Sequence, residues 1–212
     1  MIKINEIFYS IQGESTRVGL PTVFVRTTAC HLRCTYCDSK YSYDEGQMQS
    51  ISEILDQVRA FGAPAVCLTG GEPLLQKECW ELMRQLCDEG YQVSLETSGG
   101  KSCLGVDPRV KIILDVKTPD SGAADSFLLQ NLDLVNEHTE WKFVICSERD
   151  LEWSEQFCRQ HQIFEKYTVL YSPSFGVIEP RWLAEKILQK KSVARLQLQL
   201  HKYIWSPETR GV

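Results

Sequence analysis

Cys30-His31-Leu32-Arg33-Cys34-Thr35-Tyr36-Cys37, followed at once by Asp38-Ser39, places three thiols in eight residues with the spacing C-x3-C-x2-C. It comes straight after an apolar run, Thr22-Val23-Phe24-Val25-Arg26-Thr27, that reads as a core strand. Three soft thiolates this close together suit an iron–sulfur cluster or zinc. A structural zinc site takes four closed ligands, and no fourth Cys or His stands at a matching short spacing. A cubane cluster held by three thiolates keeps one iron open, and the missing ligand is then the functional feature.

The rest of the chain bounds what surrounds that loop. A length of 212 residues with 43% apolar and 24% charged residues is ordinary for a globular protein with a real core. We read it as one domain spanning residues 1–212. A net charge of −5 leaves no basic footprint for nucleic acid. No apolar run approaches the ~18 residues that span a bilayer. The start, Met1-Ile2-Lys3-Ile4-Asn5-Glu6, lacks the pattern of a signal peptide. Nine cysteines, an odd number, therefore point to a reducing, cytoplasmic setting in which grouped thiols mean metal or catalysis.

Strand and helix signals alternate along the chain. Strands are expected at Thr22–Thr28, Ala65–Thr69, Tyr91–Thr97, Val110–Val116, Trp141–Cys146, Tyr167–Tyr171 and Ala194–Leu200. Ser50-Ile51-Ser52-Glu53 is a capping-box pattern that opens a helix ending near Gly62. Further helices are expected over Lys77–Glu89, Arg149–His161 and Pro180–Lys190. This alternation argues for a mostly parallel α/β architecture. Polar or Gly-rich segments follow the strands: the cysteine loop, Gly70-Gly71-Glu72-Pro73, Thr97-Ser98-Gly99-Gly100, Asp115-Val116-Lys117 and Ser172-Pro173-Ser174. In such folds the ligand site lies at the carboxyl ends of the strands. Within the first strand Arg26 stands on the face of Phe24, opposite Val23 and Val25. It is either an edge-strand charge or an inward cation awaiting an anion.

The cysteine loop after one strand and Gly70-Gly71-Glu72-Pro73 after the next resemble the radical S-adenosylmethionine (SAM) superfamily. Ile11-Gln12-Gly13-Glu14, Phe24-Val25-Arg26, Cys37-Asp38-Ser39, Glu96-Thr97-Ser98-Gly99 and Gln199-Leu200-His201-Lys202, in that order, resemble the 7-carboxy-7-deazaguanine synthase family of queuosine biosynthesis. The resemblance implies a partial (β/α)6-type barrel of about six strands, and a radical SAM lyase. That enzyme converts 6-carboxy-5,6,7,8-tetrahydropterin to 7-carboxy-7-deazaguanine with release of ammonia. It also implies a [4Fe–4S] cluster, S-adenosyl-L-methionine and Mg2+ as cofactors. The implied partners are a reducing protein such as flavodoxin or ferredoxin and a second copy in a homodimer.

Carried over residue by residue, the resemblance gives the cluster to Cys30, Cys34 and Cys37 and Mg2+ to Ser39. SAM contacts fall on Tyr36, Cys37, Asp38, Gly71, Asp115, Val116 and Lys117. Substrate contacts fall on Ile11, Gln12, Gly13, Glu14, Arg26 and Thr69, with Arg26 pairing the substrate carboxylate. No side chain is assigned as a catalytic acid or base. Three positions depart from the family pattern. Ser39 stands where threonine is usual and keeps the hydroxyl. Asp115-Val116 replaces Ser-Pro before Lys117. Ala29 replaces a glycine before the first cysteine, which is expected to crowd the substrate edge. The other six cysteines read as packing residues. The open side of so short a barrel is left for a partner subunit or the substrate to cover.

Overall fold

Alternation along the first core strand decides which face of the sheet is which. The computed structural model describes residues 1–212. It contains a nine-stranded sheet in the order β3-β1-β2-β4-β5-β6-β7-β8-β9. Its strands are β1 (Ile2–Ile11), β2 (Pro21–Thr27), β3 (Gln47–Gln49), β4 (Ala65–Gly70), β5 (Gln92–Thr97), β6 (Lys111–Asp115), β7 (Glu140–Ile145), β8 (Thr168–Pro173) and β9 (Arg195–Leu196). The helices are α1 (Ile51–Phe61), α2 (Glu78–Asp88), α3 (Asn131–Leu134), α4 (Glu148–Gln160), α5 (Ile163–Lys166), α6 (Pro180–Lys190) and α7 (His201–Ile204). From β2 through β9, leaving out β3, every neighbouring pair runs parallel. β1 pairs antiparallel with both β2 and β3.

Val23 and Val25 on β2 share one 34-residue core with Ile54, Leu55 and Val58 of α1 and Leu82, Met83 and Leu86 of α2. The other face of each strand points into the barrel. The register sets Arg26 beside Thr69, and Asp115 beside Lys142. α1 begins at the expected capping box, where Ser50 Oγ accepts from Glu53 N at 3.2 Å and Glu53 accepts from Ser50 N at 2.7 Å. It ends on Gly62 in the left-handed region.

One segment differs from its sequence reading, and one strand lies ahead of those expected. At the start of β1 the buried Ile2 and Ile4 alternate with Lys3 and Asn5, and the alternation breaks at the bulge between Ile4 and Glu6. Ala194–Leu200 is not one strand. Only Arg195–Leu196 pairs with β8, and the chain then leaves the sheet. Gln197 N donates to Tyr171 O and Leu200 N donates to Gly13 O, both at 2.9 Å. These bonds tie the segment to β8 on one side and to the β1–β2 connection on the other.

Candidate active site

The cysteine loop leaves the carboxyl end of β2 and is tied down at several points. Thr28 N donates to Lys3 O and Ala29 N to Ser42 O, each at 2.9 Å, and Thr35 N donates to Ser121 O at 2.8 Å. Ala29 sits at φ 79°, in the left-handed region where a side chain is strained. This is why a glycine suits the position. The methyl group is a backbone matter rather than an intrusion on the cavity, which Ala29 does not line.

The two glycines after β4 are needed for close packing against this same backbone. A Cβ on Gly70 would lie 2.4 Å from Thr27 O, and one on Gly71 would lie 2.1 Å from Ala29 O. Glu72, fully buried, then locks the corner. Its carboxylate accepts from Thr97 Oγ1 at 2.8 Å, Ser98 N at 2.9 Å, Ser98 Oγ at 2.6 Å and Leu74 N at 3.1 Å. Gly-Gly-Glu-Pro thus joins the ends of β2, β4 and β5 into one rim.

A cavity of about 830 Å3 opens inside that rim. Cys30, Cys34 and Cys37 line it, as do Tyr36, Asp38, Ser39, Gly71, Asp115 and Lys117. So do Ile11, Gln12, Gly13, Glu14, Arg26 and Thr69. Val116 is the one expected contact the fold does not bring there. Its side chain is fully buried in the apolar core, and its N–H donates to Lys142 O at 2.9 Å. The alternation of a strand end turns Val116 away whenever Asp115 points in.

Polar groups, not the branched apolar layers of an ordinary barrel interior, fill the floor. Lys142, 9% exposed, pairs with Glu14 and lies 3.2 Å from Asp115. Asp115 in turn holds Lys117 at 2.8 Å. Gln199 donates to Glu14 at 2.8 Å, Lys202 donates to Gln199 at 2.9 Å, and Lys202 pairs with Asp38 at 2.7 Å. Thr69 Oγ1 donates to Glu96 at 2.8 Å, which leaves its own lone pairs facing the cavity. Sequence reading did not assign Lys142, Glu96, Gln199, His201 and Lys202, yet all five line the cavity. The motifs Glu96-Thr97-Ser98-Gly99 and Gln199-Leu200-His201-Lys202 were the available signal for four of them, and Lys142 had none.

Burial and pairing pull the titrations apart. Burial alone would raise Glu14, but Lys142 and His201 draw it below the ordinary carboxylate value. Burial and the neighbouring Glu14 charge push Glu96 up. Burial opposes the charge on Lys117, and Asp115 and Tyr36 outweigh it and raise its pKa. His201 is lowered by burial. Burial raises the thiols of Cys30 and Cys34, against Lys117 nearby. The two neighbouring carboxylates are thus shifted in opposite directions, Glu14 down and Glu96 up.

The cavity wall offers the ligand types that the cysteine spacing implies, although its three thiols are not gathered into a metal-binding group. All three thiols are free and partly exposed on one loop. The Tyr36 hydroxyl is buried with no partner, beside Lys117 Nζ at 5.4 Å from its ring. Polar atoms left unpaired in a cavity of this size await a polar ligand. Ser39 Oγ donates to Asp38 at 2.9 Å, so the hydroxyl lies beside the carboxylate that pairs with Lys202.

Comparison with known proteins follows the same lines. The Radical SAM superfamily profile matches residues 24–117, from β2 through Lys117. The 7-carboxy-7-deazaguanine synthase of Chlorobaculum tepidum is 45% identical over 214 residues, covering 100% of this chain and 97% of that protein. The protein of the same name from Koribacter versatilis is 43% identical over 227 residues, covering both chains completely (100% and 100%). The crystal structure of QueE from Escherichia coli superposes with a TM-score of 0.79 over 94% of each chain at 24% identity, a likeness of fold. Similarity of this extent, on a chain whose cysteine loop, double glycine and Arg26 share one cavity, means that it belongs to the 7-carboxy-7-deazaguanine synthase family of radical SAM enzymes.

Proposed function

We infer that this chain rearranges 6-carboxy-5,6,7,8-tetrahydropterin into 7-carboxy-7-deazaguanine and ammonia. The observation that carries the reading is the shared cavity: Arg26 on β2 and Thr69 beside it on β4 open into the space lined by the three cysteines. Loss of ammonia from the pterin balances with no net oxidation or reduction, so SAM can be regenerated. With Cys30, Cys34 and Cys37 holding a [4Fe–4S] cluster, the cluster and SAM would supply a hydrogen-abstracting radical.

The protein's own groups bind and orient. The Arg26 guanidinium suits a bidentate contact with the substrate carboxylate. Glu14, kept ionised by Lys142, accepts from the N–H edge of the heterocycle. Gln12 stands beside it with Nε2 buried and unpaired, a donor for a ring oxygen or nitrogen. Thr69 accepts through the lone pairs that Glu96 leaves free. Tyr36, Asp38, Gly71 and Lys117 face the SAM side, with Asp115 fixing Lys117. Ser39 would give Mg2+ one hydroxyl oxygen, the ion keeping waters and substrate oxygens.

The reductant in this reading is a small electron-transfer protein such as flavodoxin or ferredoxin, approaching the exposed loop residues His31, Arg33 and Thr35. The working unit is a homodimer of single-domain chains in the cytoplasm. No helix is long and apolar enough to cross a membrane. Anaerobically reconstituted protein, given carboxytetrahydropterin, SAM, Mg2+ and a reductant, is expected to yield the deazaguanine and ammonia in equal amounts. A protein with a full cluster that cleaves SAM yet makes neither product would refute the assignment.

A further inference from the structure

Arg26 does not stand alone on its strand. The β1–β2 pairing carries a bulge: Ile4 faces Thr27 but Glu6 faces Arg26, so two steps along β1 match one along β2. Bulges re-aim side chains next to functional sites. Here the bulge sets a carboxylate directly across from the guanidinium. Glu6 Oε1 accepts from Arg26 Nε at 2.7 Å and from the Tyr41 hydroxyl at 2.8 Å. The side chains of Arg26 and Glu6 are only 16% and 21% exposed. The Arg26 guanidinium also lies 5.6 Å from the centre of the Phe8 ring and 5.8 Å from that of Tyr41.

The geometry separates the two ends of the guanidinium. Glu6 takes the Nε–H alone, and the two terminal nitrogens make no hydrogen bond within the protein. Arg26 lines the large cavity. Glu6 does not, and opens instead on an adjoining surface depression beyond Tyr41 and Arg210, which line both. A carboxylate that competed with substrate would sit on the cavity side. One that approaches from behind fixes the plane of the fork and leaves its terminal edge free. Bidentate recognition of a carboxylate depends on that plane.

We propose that Glu6 is a positioning residue, which with Tyr41 orients Arg26 so that its two terminal nitrogens meet the substrate carboxylate. This rests on the reading of Arg26 as the carboxylate clamp. A lone arginine among aromatic faces would have several rotamers, and the reference to Glu6 selects one of them before substrate arrives.

The test uses reconstituted enzyme with wild type, Glu6→Ala, Glu6→Gln, Arg26→Ala and the Glu6→Ala/Arg26→Ala double variant. Two ligands are compared: carboxytetrahydropterin, and tetrahydropterin lacking the carboxylate, read as a competitive inhibitor. Glu6→Ala should raise the KM for the carboxylated ligand about tenfold, the scale of one hydrogen bond to a charged group. Its inhibition constant for the uncarboxylated ligand should not move. Glu6→Gln, whose amide oxygen still accepts from Nε–H, should stay within about threefold of wild type. The double variant should bind no more weakly than Arg26→Ala. Cluster content and thermal midpoint identify any variant that misfolds, and Tyr41→Phe then reads the same effect at smaller amplitude.

Three results overturn the proposal: Glu6→Ala weakens both ligands alike, changes neither, or tightens the carboxylated one. If Arg26→Ala itself fails to distinguish the two ligands, the clamp reading falls and this inference with it. If Arg26→Ala distinguishes them and Glu6→Ala does not, only the role of Glu6 is lost.

Discussion

The two walls of the cavity are built in opposite ways. One wall is local. Arg26, the three cysteines and Ser39 come from a single strand and the loop that follows it, within fourteen residues of chain. The other wall is assembled from afar: Lys142 on β7 meets Glu14 from the β1–β2 turn and Asp115 from β6, and Glu14 meets Gln199 beyond β9. Local geometry needs only the loop to close correctly. The distant wall needs every strand in register, because each charge is compensated by a residue that the fold alone brings near it. The local wall is therefore expected to fail by losing a ligand, and the distant wall by losing stability.

The largest effect tests the local wall. Cys34→Ala should abolish cluster assembly, read as loss of iron and of visible absorbance, and with it all product, while the thermal midpoint of the apoprotein changes little. A cluster that still assembles would break the comparison. On the other side, Lys142→Met leaves Glu14 buried without its cation, while Asp115 keeps Lys117. Removing one partner of a buried pair costs about 3–5 kcal/mol, so denaturant unfolding should show a loss of that order while iron content is kept. Glu14→Gln in the same chain should recover part of it, since the uncompensated charge is then gone.

Acid should sharpen the contrast. Glu14, Asp38 and Asp115 are each raised by burial, but their lysine neighbours, with His201 beside Glu14, bring all three below their ordinary values of 4.5, 3.8 and 3.8. A carboxylate whose folded pKa is depressed contributes stability above its unfolded value and loses it as pH falls through the folded one. The thermal midpoint should hold to about pH 4.5 and then drop steeply. Glu96, raised by burial and by Glu14, acts in the opposite sense and slightly favours the fold as pH falls toward that point. Lys142→Met should flatten the acid limb, and an unchanged limb would show that the floor carboxylates are not the titrating groups.

The smallest effect lies at the hinge between the walls. Ala29 holds φ 79° where glycine would be unstrained. Ala29→Gly removes about 1 kcal/mol of left-handed strain but adds unfolded-chain entropy of about half that size. A net gain near 0.5 kcal/mol, or a rise of roughly 1–2 °C, is expected by calorimetry. A fall in the midpoint would mean that the methyl packs usefully.

Legibility followed the same division. The cysteine loop stood out because three thiols at this spacing suit a cluster, Ser39 was reached only through the family resemblance, and Gly70-Gly71 sit where a Cβ would strike the neighbouring backbone. The long parallel strands and the capped helix α1 could be read from apolar runs and a start signal. Lys142 could not, since a lysine inside Trp141–Cys146 looks like a misplaced surface charge until Asp115 and Glu14 are seen beside it. Val116 was misplaced because a three-residue motif was transferred whole, although neighbouring strand residues point to opposite faces. The Ala194–Leu200 run looked like a strand because its apolar residues alternate, yet hydrogen bonds to Gly13 and Tyr171 draw most of it out of the sheet.

By itself the sequence determined the cofactor-bearing loop, the parallel α/β layout and the family, because these depend on spacing, periodicity and residue type over short stretches. Only the tertiary structure decided which charges compensate one another, how the segment after β9 reaches from Tyr171 to Gly13, and that a bulge in β1 sets Glu6 against Arg26. Those are contacts between residues far apart in the chain, and their energies depend on burial and register that no local pattern records.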